Sequence, residues 1–259
     1  MNLKLCFTLL LTLFLFTAHS LSAQERIEDE EQAAAIFQEV QDRQNSIETE
    51  ISTLQMVITD PRGRTRNRTM KMWSAVDGDN SKSLIVFSDP GSVSGTAFLT
   101  IREDGGSAQR LYLPSVGRVQ TISSSERSDR FMGSDFTYED LGDQQADDYR
   151  FEWLEEHDTF YRVRAEKPDS DQYSFVEFKI DREKYTLLEI HYFNVNGEKI
   201  KRLEAENFEQ LTDSLWSPAK MTMFDLREDR KTEISWSDRQ INNSIPDWRF
   251  TERGLQRGI

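Results

Sequence analysis

The sequence predicts a mainly β protein, an antiparallel meander that curls into a barrel or half-barrel, with one helix near its N-terminal end. Three observations carry that expectation. From about Glu50 onward, turn signals recur at short intervals: Asp60-Pro61-Arg62-Gly63, Asp77-Gly78-Asp79-Asn80, Asp89-Pro90-Gly91, Asp104-Gly105-Gly106, Pro114-Ser115-Val116-Gly117 and Asn194-Val195-Asn196-Gly197. Between them lie runs rich in aromatic and β-branched residues, which suit a pleated, half-buried surface. Helical periodicity is clear only once, so the crossover helices that a parallel sheet requires are not in evidence.

The first element is not part of the fold. Lys4 is followed by an apolar run from Leu5 to Phe16, then by small and polar residues from Thr17 to Gln24, the order of a secretion signal. The run falls short of the roughly 20 helical residues that a bilayer core demands. A short membrane anchor is the competing reading. Cleavage is expected after Ala23, with Ser20 as the alternative. Cys6 stands at the front of the apolar run, whereas a lipidated cysteine would follow it. It therefore leaves with the signal, and the mature chain is expected to have no disulfide or thiolate chemistry. Residues 1–23 are read as signal peptide and 24–259 as one domain, periplasmic and soluble after cleavage.

Glu30 to Ile47 predicts the helix. Ala33, Ala34 and Ala35 favour it, and Ile36, Phe37, Val40 and Ile47 recur at helical spacing. Strands are predicted over 51–59, 68–76, 83–88, 95–103, 109–114, 159–167, 172–181, 186–193 and 220–226. Met70 and Met72 share one strand face, and Met221 and Met223 share another. Tyr161, Val163 and Ala165 oppose Arg162 and Arg164, as in a sheet with one wet and one covered face. The polar stretches Ser123–Asp129 and Asp143–Asp148 predict long loops, and the second marks a division between two halves of one sheet.

Composition and motifs exclude several functions. A net charge of −14 argues against nucleic acid, which needs clustered basic side chains. It also argues against resting on an anionic bilayer by charge alone. His157 lies in an acidic turn and His191 on a strand. With no cysteine pair and no His-x-x-x-His, no metal site is expected. Gly91-Ser92-Val93-Ser94-Gly95 lacks the spacing of a nucleophile elbow, and no phosphate-binding glycine pattern occurs. No catalytic residue and no cofactor are therefore expected. The adjacent carboxylates of Glu139 and Asp140 are read as a solvated acidic turn. As a catalytic pair they would favour a hydrolase of envelope material.

What remains is apolar and soft. Five of the seven methionines, Met56, Met70, Met72, Met221 and Met223, fall in predicted strands, with Trp73, Trp216 and Trp236 in or beside strands. Methionine fills irregular space and adapts to varied apolar ligands. Ordinary core is the plain reading. The functional one is an apolar cavity lined by those methionines and Trp236, closed by the helix through Ile36, Phe37 and Val40.

One segment, Gly95 to Leu141, resembles the outer membrane lipoprotein-sorting protein family of the LolA/LolB-like superfamily. The pieces that carry the resemblance are Leu111-Tyr112-Leu113-Pro114, Gly117-Arg118-Val119, Phe131-Met132-Gly133-Ser134-Asp135-Phe136 and Tyr138-Glu139-Asp140-Leu141. Phe87-Ser88-Asp89-Pro90 and Phe250 to Leu255 are similar in kind. The resemblance implies an open antiparallel half-barrel with a helical and loop lid over an apolar cavity. It implies a periplasmic carrier, not an enzyme, that takes a lipid or a lipoprotein acyl chain. The implied partner is an RND/MMPL-type inner-membrane transporter, and the carrier is expected to be a monomer. Within the motif, Gly133 and Ser134 permit a tight bend, while Asp135 or Asp140 caps exposed backbone amides. A non-carrier scaffold, its barrel filled by its own side chains, is the remaining alternative.

Overall fold

The computed structural model describes residues 28–142, 145–168 and 170–258. The secretion signal, its cleavage point and Cys6 lie outside these residues, as does part of the expected 143–148 loop. Helix α1 covers 28–44 of the described chain. Thirteen strands follow: β1 (Thr49–Thr59), β2 (Thr65–Asp77), β3 (Asn80–Asp89), β4 (Ala97–Glu103), β5 (Gly106–Leu113), β6 (Arg118–Thr121), β7 (Arg150–Glu156), β8 (Phe160–Glu166), β9 (Phe175–Asp181), β10 (Leu187–Phe193), β11 (Lys199–Gln210), β12 (Trp216–Asp225) and β13 (Arg230–Ile241). A short helix, α2 (Glu252–Arg257), ends the chain.

All thirteen strands form one antiparallel sheet in the order β6-β5-β4-β3-β2-β1-β13-β12-β11-β10-β9-β8-β7. Two meanders, β1–β6 and β7–β13, therefore meet where the first strand pairs with the last, from Glu50 opposite Ile241 to Thr59 opposite Lys231. Strands β6 and β7 are consecutive in sequence yet sit at opposite edges, so the sheet stays open. Of the segment 122–149 between those edges, residues 122–142 and 145–149 are described. It includes both stretches expected as loops, and the division expected near its end falls between the two meanders.

The helix stops at 44 and not at Ile47. The Ser46 amide and hydroxyl both donate to the Arg43 carbonyl, at 3.2 and 2.7 Å, and this turns the chain out of the helix. Ile47 is still buried, from beyond the helix end. Ala33, Phe37, Val40 and Gln41 form the buried stripe, and Ile36 flanks it, partly buried.

The sheet has two covered faces. The inner face packs against α1 and segment 122–149 in one large hydrophobic cluster. Part of the outer face, from Trp73, Leu84, Val86, Ala97 and Leu99, is covered by Phe250 and Leu255 of the C-terminal segment.

Candidate functional site

The inner face is a set of cross-strand rows. Trp236 lies opposite Leu54, Leu54 opposite Met70, and Met70 opposite Phe87. In the next row Ala205 faces Met221, Met221 faces Ile234, and Ile234 faces Met56. Met223 pairs with Leu203 and Thr232. All six residues singled out from the sequence thus belong to one cluster with the lid residues Ile36, Phe37 and Val40. Met56, Met70 and Met223 are essentially inaccessible, while Met72, Met221 and Trp236 are partly buried. Phe37 anchors α1 among Phe178, Phe151 and Tyr149, with ring centroids at 4.9, 5.1 and 5.9 Å.

The rest of the inner face is filled by segment 122–149. Phe131 is buried against Phe98, Tyr138 and Phe87, at 5.1, 5.7 and 5.8 Å between centroids. The bend that drives this ring inward is tight. Gly133 has φ of 74° and Met132 φ of 51°, and the Ser134 hydroxyl closes the bend on the Phe131 carbonyl at 2.7 Å.

Three charged contacts then fasten the segment to the strands. The Asp140 carboxylate accepts from the Lys201 ammonium at 3.0 Å, the Tyr173 hydroxyl at 2.7 Å and its own Thr137 amide at 2.8 Å. Asp135 accepts from the Thr232 hydroxyl at 2.6 Å and lies 3.0 Å from the Arg230 guanidinium. Arg130 donates to Asp225 at 2.7 Å. Burial pushes the Tyr173 phenol well up, and the Asp140 charge adds to it. Burial also works against the Asp225 carboxylate. Hydrogen bonds from the Arg227 and Glu228 amides, the Arg227 charge and the hydrogen bond from Arg130 outweigh it, and its pKa falls.

These contacts correct one expectation. The acidic turn at Asp140 is not solvated: its side chain is 1% exposed, opposite a Lys201 side chain that is 3% exposed. Asp140 does cap a backbone amide, as the resemblance implied, whereas Asp135 serves side chains. Sequence reasoning missed Lys201, Arg230 and Thr232. A signal existed for Lys201, which occupies the apolar phase of its strand with Leu203 and Ala205.

The described inner face is packed. The apolar crevice within it, between Tyr149, Tyr173, Phe175, Phe178, Ile190 and Tyr192, holds about 20 Å³, room for about one water molecule. His157 stacks on Phe160, and His191 contacts Glu189. Among the described residues, no cluster of His, Cys, Asp and Glu could hold a metal ion. Among them, no helix is long and apolar enough to cross a membrane.

An open antiparallel sheet with a helix and a loop laid over its apolar inner face is a LolA-like fold. The comparisons agree. The chain is similar to the crystal structure of an outer membrane lipoprotein-sorting protein domain from Vibrio parahaemolyticus, with 30% identity and a TM-score of 0.83 over 88% of this chain and all of that one. It is similar in fold to a DUF1329 family protein from Desulfovibrio piger, with 24% identity, a TM-score of 0.82 and coverage of 88% and 99%. A LolA superfamily protein from Nitrosomonas europaea shares 19% identity and a TM-score of 0.67, with coverage of 85% and 97%. A family model described as an uncharacterized protein matches residues 79–257. No curated protein matches the chain. The chain belongs to the outer membrane lipoprotein-sorting protein family.

Proposed function

We propose that this protein is a periplasmic carrier that takes a lipid, or the acyl chain of a lipoprotein, against its inner face and passes it between membrane components. The observation that carries the reading is the family relationship, joined to an apolar inner face whose covers are not part of the strand ladder. Neither α1 nor segment 122–149 belongs to the strand ladder, so both can lift while all thirteen strands stay paired. Magnitudes leave the exchange near balance, as loading and release both require. Uncovering Phe37, Val40, Phe131 and Phe136 costs roughly 6–12 kcal/mol, while burying an acyl chain of about sixteen carbons returns roughly 12 kcal/mol. Met56, Met70, Met72, Met221, Met223 and Trp236 would then form the sleeve, with Ile36, Phe37 and Val40 as the moving lid. The partner we propose is an RND/MMPL-type inner-membrane transporter, and no bond chemistry is required of the carrier.

The packed inner face favours a second reading, a scaffold filled by its own side chains. Native mass spectrometry of the purified protein, with uptake of a fluorescent fatty acid, separates the two. Co-purifying lipid and saturable uptake are expected. A folded protein that repeatedly carries no lipid and takes up no fatty acid would establish the scaffold.

A further inference from the structure

Beside the apolar crevice lies a second, polar space, between β4–β5, segment 122–149 and the loop after β8. It holds about 390 Å³, within the roughly 300–1,000 Å³ of small-molecule sites. Its walls come from both meanders and from the segment between them: Arg102 and Gln109 on β4 and β5, Arg127 and Glu139 on segment 122–149, and Lys167 and Asp171 beyond β8. Glu139 and Lys167 line the apolar crevice as well, so the two spaces share a wall. The Lys167 ammonium lies 5.8 Å from the centre of the Tyr149 ring, at that junction.

The polar groups suit a particular ligand. Arg102 is held by Asp148 through two contacts, at 2.9 and 3.3 Å. The other basic groups of the wall are Arg127 and Lys167, and Asp171 and Glu139 are the other carboxylates. The buried Arg127 Nε has no hydrogen-bond partner. Gln109 is 2% exposed. Its Nε2 donates to the Tyr138 carbonyl at 2.7 Å, which leaves Oε1 buried as an acceptor without a partner. A simple anion would meet two carboxylates here, and a simple cation would meet two basic side chains. A group with both signs satisfies each.

We propose that this polar pocket binds the zwitterionic headgroup of a phosphoethanolamine lipid, with its acyl chains passing the shared wall to lie against the inner face once the inner cover has lifted. Arg127 and Lys167 take the phosphate, helped by the Ser124 and Ser128 hydroxyls that flank Arg127 in the same wall. Asp171, Glu139 and the Gln109 Oε1 take the ammonium. Burial raises the Glu139 carboxyl above its usual range, and an ammonium beside it favours the ionised form. This inference rests on the carrier reading and adds the class of cargo to it.

The test uses short-chain lipids that stay in solution: dihexanoyl phosphatidylethanolamine, dihexanoyl phosphatidylglycerol and dihexanoylglycerol, titrated calorimetrically into the mature protein. The ethanolamine lipid is expected to bind roughly tenfold more tightly than the other two. Arg127→Ala and Lys167→Ala, both at positions that are not fully buried, are expected to remove the advantage of both phospholipids over dihexanoylglycerol, and Asp171→Asn, at an exposed position, the advantage of the ethanolamine lipid over the phosphatidylglycerol. Equal binding of the three lipids, or preferences that survive these substitutions, overturns the headgroup site, while fatty-acid uptake by the unsubstituted protein leaves the carrier reading standing. Failure of every lipid and of the fatty acid to bind overturns both.

Discussion

The two covers of the sheet are built on different principles. The outer cover, the C-terminal segment, adheres through apolar and stacking contacts. Phe250 and Leu255 are buried on Trp73, Leu84, Val86, Ala97 and Leu99. The Arg249 guanidinium sits 4.4 Å from the Trp73 ring and 4.5 Å from the Trp248 ring, and Arg257 adds a contact to Trp248 at 4.9 Å. The inner cover has apolar contacts too, but its register is set by three charged contacts: Lys201 with Asp140, Arg230 with Asp135, and Arg130 with Asp225. The cost of desolvating such pairs offsets much of their attraction. They fix where the segment docks while adding little to how firmly it is held. On the proposed carrier function, the inner cover is the one that moves and the outer strap the one that stays.

The largest expected effect comes from breaking an inner contact on one side only. Asp140→Ala strands the Lys201 ammonium in the core and is expected to cost about 3–5 kcal/mol in urea unfolding. If the inner cover is the movable one, fatty-acid uptake becomes faster in the folded variant; unchanged uptake kinetics would remove the contrast. Next comes Gly254→Ala in the outer strap. A Cβ at Gly254 would lie 2.0 Å from the Arg249 carbonyl oxygen, an impossible approach that forces the backbone to move. A loss of about 1–3 kcal/mol is expected, with uptake unaltered. Arg249→Ala removes the stacked cation and is expected to cost about 1 kcal/mol, visible as a small drop in thermal midpoint and a change in tryptophan fluorescence.

Acid provides the mildest test. In the folded state Asp225 titrates below its usual value, as does Asp148, where burial is outweighed by Arg102 and the Gln145 amide. A lowered folded pKa gives stability that is complete above the unfolded value, near 3.9, and that fades as pH falls through the folded one. The inner cover is therefore expected to loosen below about pH 4 while the outer strap, held by arginine on tryptophan, persists. Near-ultraviolet circular dichroism read with fatty-acid uptake at each pH follows the two separately.

Much of the fold was legible because nine strands follow the rules of a one-sided sheet. Strands β6, β7, β11 and β13 carry weaker signals. Lys199-Ile200-Lys201-Arg202-Leu203-Glu204-Ala205-Glu206 is dense in charge and holds residues that also suit a helix, and only its pairing with β10 and β12 makes it a strand. The six inner-face residues were legible from alternation and softness. Their packing against Phe131 was not, because a ring on an irregular segment has no period to reveal which way it points. Asp140 looked like one more acid in an acidic chain. Its partners Tyr173 and Lys201 lie far along the chain, and no local pattern joins them.

The pairing of the first strand with the last sets the order in which this molecule can assemble. Each meander can form by neighbour-to-neighbour hairpins, the fast local kind of contact. The ladder between Thr49–Thr59 and Arg230–Ile241 joins the two ends of the described sheet and waits until nearly the whole chain is present. Until β13 arrives, the flanks of β1 and β12 that will become the middle of the sheet are bare edges carrying Leu54, Met56 and Met223. Bare apolar edges are where strands of different chains join. A chain cut short before Arg230 is therefore expected to aggregate, even though twelve of its thirteen strands are intact.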